Sequence, residues 1–107
     1  MPKDHATPIN EADRQARAAF RAYVAWFESL GSVLCGPYPP LSINPRTLQR
    51  IAGGQRDVPP GLARETAALI REDMITARES ERLSLDGWAT ALECWAADCD
   101  ARAGGRS

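Results

Sequence analysis

The sequence offers few residues for a metal site or a nucleophilic active site. It has a single histidine, His5, and three cysteines, Cys35, Cys94 and Cys99. Cys94 and Cys99 are five residues apart in a predicted helix and point to different faces, so they are poor partners for one metal ion. An odd number of cysteines indicates free thiols, and no histidine is placed to serve as their base. A phosphate-binding glycine loop is also missing. We therefore expect no cofactor, no metal and no enzymatic activity.

Long apolar runs and targeting segments are missing as well. No stretch reaches the ~18 apolar residues of a membrane span, and the N-terminus lacks the order of a signal peptide. A chain of 107 residues is long enough for one core. We therefore predict a single cytoplasmic domain over residues 1–107, with disordered ends at residues 1–6 and 103–107.

Lysine is almost absent, and net charge is small. Lys3 is the only lysine among 13 basic residues, and the formal net charge is −1. The charges are unevenly spread, however. Residues 44–56 carry three arginines and no acid, whereas residues 73–100 carry seven acids and two arginines. This asymmetry either orients the protein on a polyanion or is the ordinary scatter of charge in a small protein.

Hydrophobic periodicity predicts an all-α fold, a small bundle of four to five helices. A first helix ends near Leu30 and carries a wide apolar face, which is typical of packing against a core. A short helix follows at residues 45–53, then one from Pro60 to about Glu79. Ser84 is expected to cap a last helix that ends near Arg102.

Two helix faces leave alternatives open. Arg14, Arg17 and Arg21 share one side of the first helix, either as a phosphate-contacting stripe or as a solvated face with an Asp13–Arg17 pair. The last helix carries a heptad-like apolar seam. Its members are Leu85, Trp88, Leu92, Trp95 and Cys99. The seam either joins the core or forms a homodimer interface centred on Trp88, Leu92 and Trp95.

The short helix at residues 45–53 has well-marked ends. Asn44 is a good N-cap, Pro45 suits the first helical position, and Gly53 and Gly54 end the helix. Leu48 and Ile51 are expected to anchor its inner side. A helix of about two turns is marginal alone, so we predict that its neighbours hold it out to present its outer side chains. Those are Arg46, Thr47, Gln49 and Arg50, with Arg56 just beyond.

The whole run LSINPRTLQRIAGGQRDVPP, residues 41–60, resembles the recognition-helix half of lambda-repressor/Cro-type (Xre-like) helix-turn-helix regulators. The matching residues are Leu41, Ile43, Pro45, Arg46, Thr47, Leu48, Arg50, Gly54, Arg56 and Pro59. In that family another helix precedes the turn and braces the reader. Here that place is taken by residues 31–40, where three prolines leave room for at most one helical turn.

The resemblance implies a small DNA-binding transcriptional regulator of phage or mobile-element type. Arg46, Gln49 and Arg50 would contact base edges in the major groove of double-stranded DNA, and Thr47 and Arg56 would contact phosphates. Such regulators bind as homodimers. The alternative is a protein-interaction module on a degenerate helix-turn-helix fold. It would be a prophage accessory protein, an antitoxin-like partner or an inhibitor of a host defence complex.

Overall fold

The computed structural model describes residues 9–29 and 41–104, and these form four α-helices without a strand. The helices are α1 (Glu11–Ser29), α2 (Pro45–Ala52), α3 (Pro60–Thr76) and α4 (Glu79–Gly104). The predicted all-α bundle is therefore confirmed. The predictions for residues 1–6, for the proline-rich segment 31–40 and for residues 105–107 lie outside the described residues.

Two of the helices begin at an asparagine cap, and the cap at Asn44 is the predicted one. The Oδ1 atom of Asn44 accepts a hydrogen bond from the Thr47 N–H at 2.8 Å, and Pro45 occupies the first helical position. Asn10 caps α1 in the same way, accepting from the Asp13 N–H at 2.9 Å. Each cap satisfies one of the N–H groups that the first helical turn leaves without a partner.

The core lies between α1 and the hairpin of α3 and α4. Its largest fully buried side chains are Trp95, Tyr23, Phe20, Leu48, Ile51, Ile70, Leu85 and Leu92. Asn10 donates to Asp98 at 3.2 Å, which places the start of α1 beside the end of α4, so these two helices are antiparallel. The two residues that α2 contributes, Leu48 and Ile51, are the predicted inner anchors.

The apolar seam of α4 packs within the chain. Leu92 and Trp95 are 0% and 1% exposed, so the core alternative holds for them and they offer no surface to a second subunit. The Trp95 indole N–H donates to the Val58 carbonyl at 2.6 Å, and the Arg102 guanidinium lies 4.9 Å from the centre of the Trp95 ring. Of the three predicted interface residues, Trp88 alone keeps some exposed surface.

The boundary between α3 and α4 lies earlier than predicted. α3 ends at Thr76, and α4 begins at Glu79, so Ser84 is inside α4 and caps nothing. The Arg78 carbonyl accepts hydrogen bonds from the Glu81 and Arg82 N–H groups at 2.9 and 3.2 Å, and the helix starts there. Ala77 is extended at that point (ψ 156°). The other end of α4 continues to Gly104, two residues into the tail predicted to be disordered.

The described helices can be compared with the length and hydropathy that a membrane span needs. Within residues 9–29 and 41–104, no helix is both long and apolar enough to cross a bilayer.

Candidate nucleic-acid interface

The outer face of α2 is open to solvent. Arg46, Gln49 and Arg50 are exposed, and Thr47 is partly exposed, whereas Leu48 and Ile51 on the opposite side are 2% and 0% exposed. The structure therefore places three of the five predicted DNA-contacting side chains together on one exposed face. Arg56 is partly buried and follows the helix in the α2–α3 connection.

The arginines in and beside α2 differ from five arginines of the other helices in their ion pairing. In the described part of the chain, Arg46, Arg50 and Arg56 form no ion pair with a carboxylate. Arg21, Arg78 and Arg82 likewise have no carboxylate partner among the described residues, whereas five arginines of the other three helices do form such pairs. They are Arg14 with Glu11, Arg17 with Asp13, Arg64 with Asp100, Arg71 with Asp86 and Glu93, and Arg102 with Asp98. The positive charge around α2 is consequently not neutralised by a carboxylate of residues 9–29 or 41–104.

Most acidic side chains of residues 73–100 take part in these ion pairs. Arg71 on α3 donates to both carboxylate oxygens of Glu93 (2.8 and 3.0 Å) and to Asp86 (3.0 Å). The hydrogen bonds from Arg71 lower the pKa of Glu93, and burial opposes them only in part. Asp73 on α3 accepts from the Tyr23 hydroxyl of α1 at 2.6 Å. Much of this acidic segment thus joins helices together.

The segments flanking α2 are attached to the bundle on both sides. Before the helix, the backbone N–H and hydroxyl of Ser42 both donate to Oε2 of Glu65 on α3, at 3.0 and 2.9 Å. After the helix, Val58 is fully buried and its carbonyl accepts from Trp95. A helix of eight residues buries little apolar area, so these attachments fix where its outer face points.

A third attachment comes from a buried ion pair on α1. Arg17 Nε donates to Asp13 Oδ1 at 2.8 Å, and the two side chains are 9% and 1% exposed. Arg17 Nη1 also donates to the Gly54 carbonyl at 3.3 Å, just beyond the end of α2. Asp13 in turn accepts from the Ile9 N–H at 2.9 Å. The Asp13–Arg17 pair was predicted from its spacing, but the solvated face was wrong for these two residues, because they lie under the end of α2.

The glycines that end α2 allow this attachment. Gly54 has a φ of +79°, a left-handed conformation that side chains with a Cβ adopt at a cost, and its N–H donates to the Ile51 carbonyl at 3.0 Å. A Cβ at Gly53 would lie 3.1 Å from the Gln49 carbonyl oxygen. The tight turn that follows brings the Gly54 carbonyl within reach of Arg17.

A shallow groove of about 250 Å³ separates α1 from α2. Its polar lining consists of Arg21 and Glu28 from α1 and Gln49 from α2. Arg21 was one member of the predicted arginine stripe, and it is exposed. The stripe itself does not form, because Arg14 pairs with Glu11 and Arg17 is buried. The sequence gives no sign that Arg21 and Gln49 share a groove, since that depends on how α2 packs on α1.

The other polar residues that the structure describes give no second candidate site. Within residues 9–29 and 41–104, no group of three or more histidines, cysteines or acids is arranged to hold a metal ion. Cys94 is exposed and Cys99 partly buried. Burial raises the pKa of the Cys99 thiol, which leaves it less reactive at neutral pH.

No protein-family model matches this chain, and no curated protein or solved structure matches it either. The likeness of residues 41–60 to helix-turn-helix regulators therefore remains a resemblance. Any functional conclusion depends on the exposure, charge and attachment of α2.

Proposed function

We propose that the protein is a small DNA-binding transcriptional regulator, of the phage or mobile-element type, which inserts α2 into the major groove of double-stranded DNA. The observation that carries the proposal is the exposed outer face of α2, whose arginines have no carboxylate partner among the described residues. An unpaired, solvated arginine loses no ion pair of the folded chain when it binds a polyanion. Attachments on both sides of α2 also support the proposal, since base contacts need a rigid reader.

Each side chain of the face has a role in this proposal. Arg46 and Arg50 donate in bidentate fashion to guanine O6 and N7, and Gln49 forms the corresponding pair with adenine. Thr47 and Arg56, which are less exposed and lie beside the reading face, contact phosphates and set the register on the duplex.

The test is a binding titration with DNA from the region upstream of the protein's own coding sequence and with a scrambled duplex. Replacing Arg50 with alanine should weaken binding to the target by about 1–3 kcal/mol, roughly 5- to 150-fold, and relax the preference at one base pair. Arg78→Ala is the matched control, because Arg78 is exposed but lies in the α3–α4 connection. Equal affinities of wild type and Arg50→Ala for both duplexes would contradict the base-contacting role.

We also infer that the protein binds DNA as a homodimer, as regulators of the resembled family do on half-sites about one DNA turn apart. Trp88, the predicted interface residue with exposed surface, lines a groove of about 450 Å³ between α1 and α4. Leu83, 83% exposed, lines the same groove, whose other walls are mostly alanine and glycine. Light scattering of the protein with a palindromic duplex should give two copies per duplex. A single copy at saturation would contradict the dimer.

The second candidate is a protein-interaction module on a degenerate helix-turn-helix fold. It would be a prophage accessory protein, an antitoxin-like partner or an inhibitor of a host defence complex. Two exposed apolar side chains favour it, Ile75 at 75% and Leu83 at 83%, near the turn between α3 and α4. Salt separates the candidates, because binding to phosphates releases counterions and weakens steeply as salt increases, whereas an apolar protein contact does not.

A further inference from the structure

Arg21 differs from the other arginines of α1. Arg14, two turns earlier, is paired with Glu11, and Arg17 is buried against Asp13. Arg21 is exposed and has no carboxylate partner among the described residues. In this respect it resembles Arg46, Arg50 and Arg56 although it belongs to a different helix.

The position of Arg21 relative to α2 is fixed by the neighbouring turn of α1. Arg17, which precedes Arg21 by four residues, donates to the Gly54 carbonyl, so this part of α1 lies against the C-terminal end of α2. Residues four apart lie on the same side of a helix. Accordingly, Arg21 lines the groove opposite Gln49 and Gly53. Arg21 thus shares a groove with Gln49 of the reading face and belongs to a helix that is anchored in the core.

The groove is electrically asymmetric along its length. Glu28 lines the same groove from α1, seven residues after Arg21, or roughly 10 Å along the helix axis. A DNA strand passing over this groove is attracted at the Arg21 end and repelled at the Glu28 end. The strand is therefore favoured near Arg21 and the C-terminal end of α2.

From this placement we infer that Arg21 contacts a phosphate of the DNA backbone next to the bases that α2 reads. The inference rests on the proposed DNA-binding function and extends the footprint from α2 to α1. A phosphate contact carries no sequence information, so Arg21 fixes the angle of docking and adds affinity equally for every sequence. In helix-turn-helix proteins a bracing helix crosses the backbone, and here α1 supplies that contact through one side chain.

The experiment measures binding of wild type, Arg21→Ala and Arg78→Ala to the target and to the scrambled duplex between about 50 and 200 mM salt. Loss of one phosphate contact should reduce the slope of log Kobs against log salt by about 0.9 in Arg21→Ala. Over that fourfold range of salt, Arg21→Ala should therefore lose about 3.5-fold less affinity than the wild type loses. The preference for target over scrambled DNA should stay at the wild-type ratio, and Arg78→Ala should keep the wild-type slope.

Glu28→Gln is an independent variant, and we expect it to change DNA affinity in the opposite direction to Arg21→Ala. Removing the carboxylate from the groove should strengthen binding to both duplexes. Arg21 and Glu28 are both exposed, so neither substitution removes a buried group. Both variants should therefore keep the circular dichroism spectrum of the wild type. A wild-type slope in Arg21→Ala, or a change in its sequence preference, would overturn the Arg21 contact while leaving the DNA-binding function intact. Failure of the wild-type protein to bind either duplex would overturn both.

Discussion

Replacing Arg17 with alanine should destabilise the fold strongly. The substitution leaves the Asp13 carboxylate 1% exposed and without its guanidinium partner, and it removes the donor to the Gly54 carbonyl. Removing one member of a buried ion pair costs about 3–5 kcal/mol, because the other charge stays buried and uncompensated. Small domains have a total stability of roughly 5–15 kcal/mol, so this loss is a large fraction of it.

Urea denaturation followed by tryptophan fluorescence measures this loss, since Trp95 is buried and becomes exposed on unfolding. Arg14→Ala is the control on the same helix. Arg14 pairs with Glu11 at the surface, and such a pair contributes little in water. We expect Arg17→Ala to lower the urea midpoint strongly and Arg14→Ala to leave it almost unchanged. Equal midpoints for the two variants would refute the reasoning that burial makes the Asp13–Arg17 pair important.

A double variant separates the charge from the attachment of α2. Asp13→Asn with Arg17→Met removes both charges, and such replacements of buried pairs are often neutral or stabilising. Stability should return toward the wild-type value. The donor to the Gly54 carbonyl is still missing, however, so DNA binding should remain weaker than in the wild type. Full recovery of DNA binding in the double variant would show that Arg17 does not position α2.

Two further predictions concern the glycines and the charged contacts of the α3–α4 hairpin. Gly54→Ala should destabilise the folded chain by about 1–2 kcal/mol because φ is +79° at that position. Gly87→Ala should stabilise it by up to about 1 kcal/mol, because Gly87 is inside α4 and a Cβ there would meet open space. The urea midpoints of the two variants test both expectations. Arg71→Gln should make stability less sensitive to acid. The pKa of Glu93 is lowered in the folded chain, so the pair stabilises above the ordinary carboxyl pKa and this contribution disappears as pH falls through the lowered value. The difference in urea midpoint between wild type and Arg71→Gln should therefore shrink on acidification, and a constant difference would contradict the assignment.

Local signals in the sequence were sufficient for α2 and for the inner faces of the longer helices. An asparagine followed by proline, two apolar residues three apart and a pair of glycines fix both ends and the buried side of α2 without knowledge of the rest of the fold. Periodicity likewise placed Trp95 on an apolar seam, and the structure shows that this seam packs in the core of the chain. Periodicity did not place the start of α4, because Ser80 and Ser84 are compatible with a helix interior when Leu85 beside them faces the core.

Polar contacts between residues far apart in the chain could not be predicted from the sequence and were seen only in the structure. Tyr23 and Asp73 are 50 residues apart, and no spacing rule along one helix pairs residues at that separation. The i,i+4 spacing of Asp13 and Arg17 predicted that they would pair, but their burial depends on Gly54, 37 residues further along the chain. Sequence spacing identifies partners on one helix, while burial is decided by whichever other segment covers them.

The distribution of ion pairs is what gives the arginine content a functional meaning. Twelve arginines in a chain with a net charge of −1 say nothing by themselves about a polyanionic partner. In the fold, carboxylates on α1 and α4 pair with arginines of α1, α3 and α4, and none pairs with the described arginines of α2 or with Arg21. Among the described residues, unpaired arginines lie both at the α3–α4 turn (Arg78 and Arg82) and where α1 and α2 meet, and the second group is the one that surrounds the exposed face of α2. A phosphate backbone, which we propose as the ligand, is attracted by such a surface.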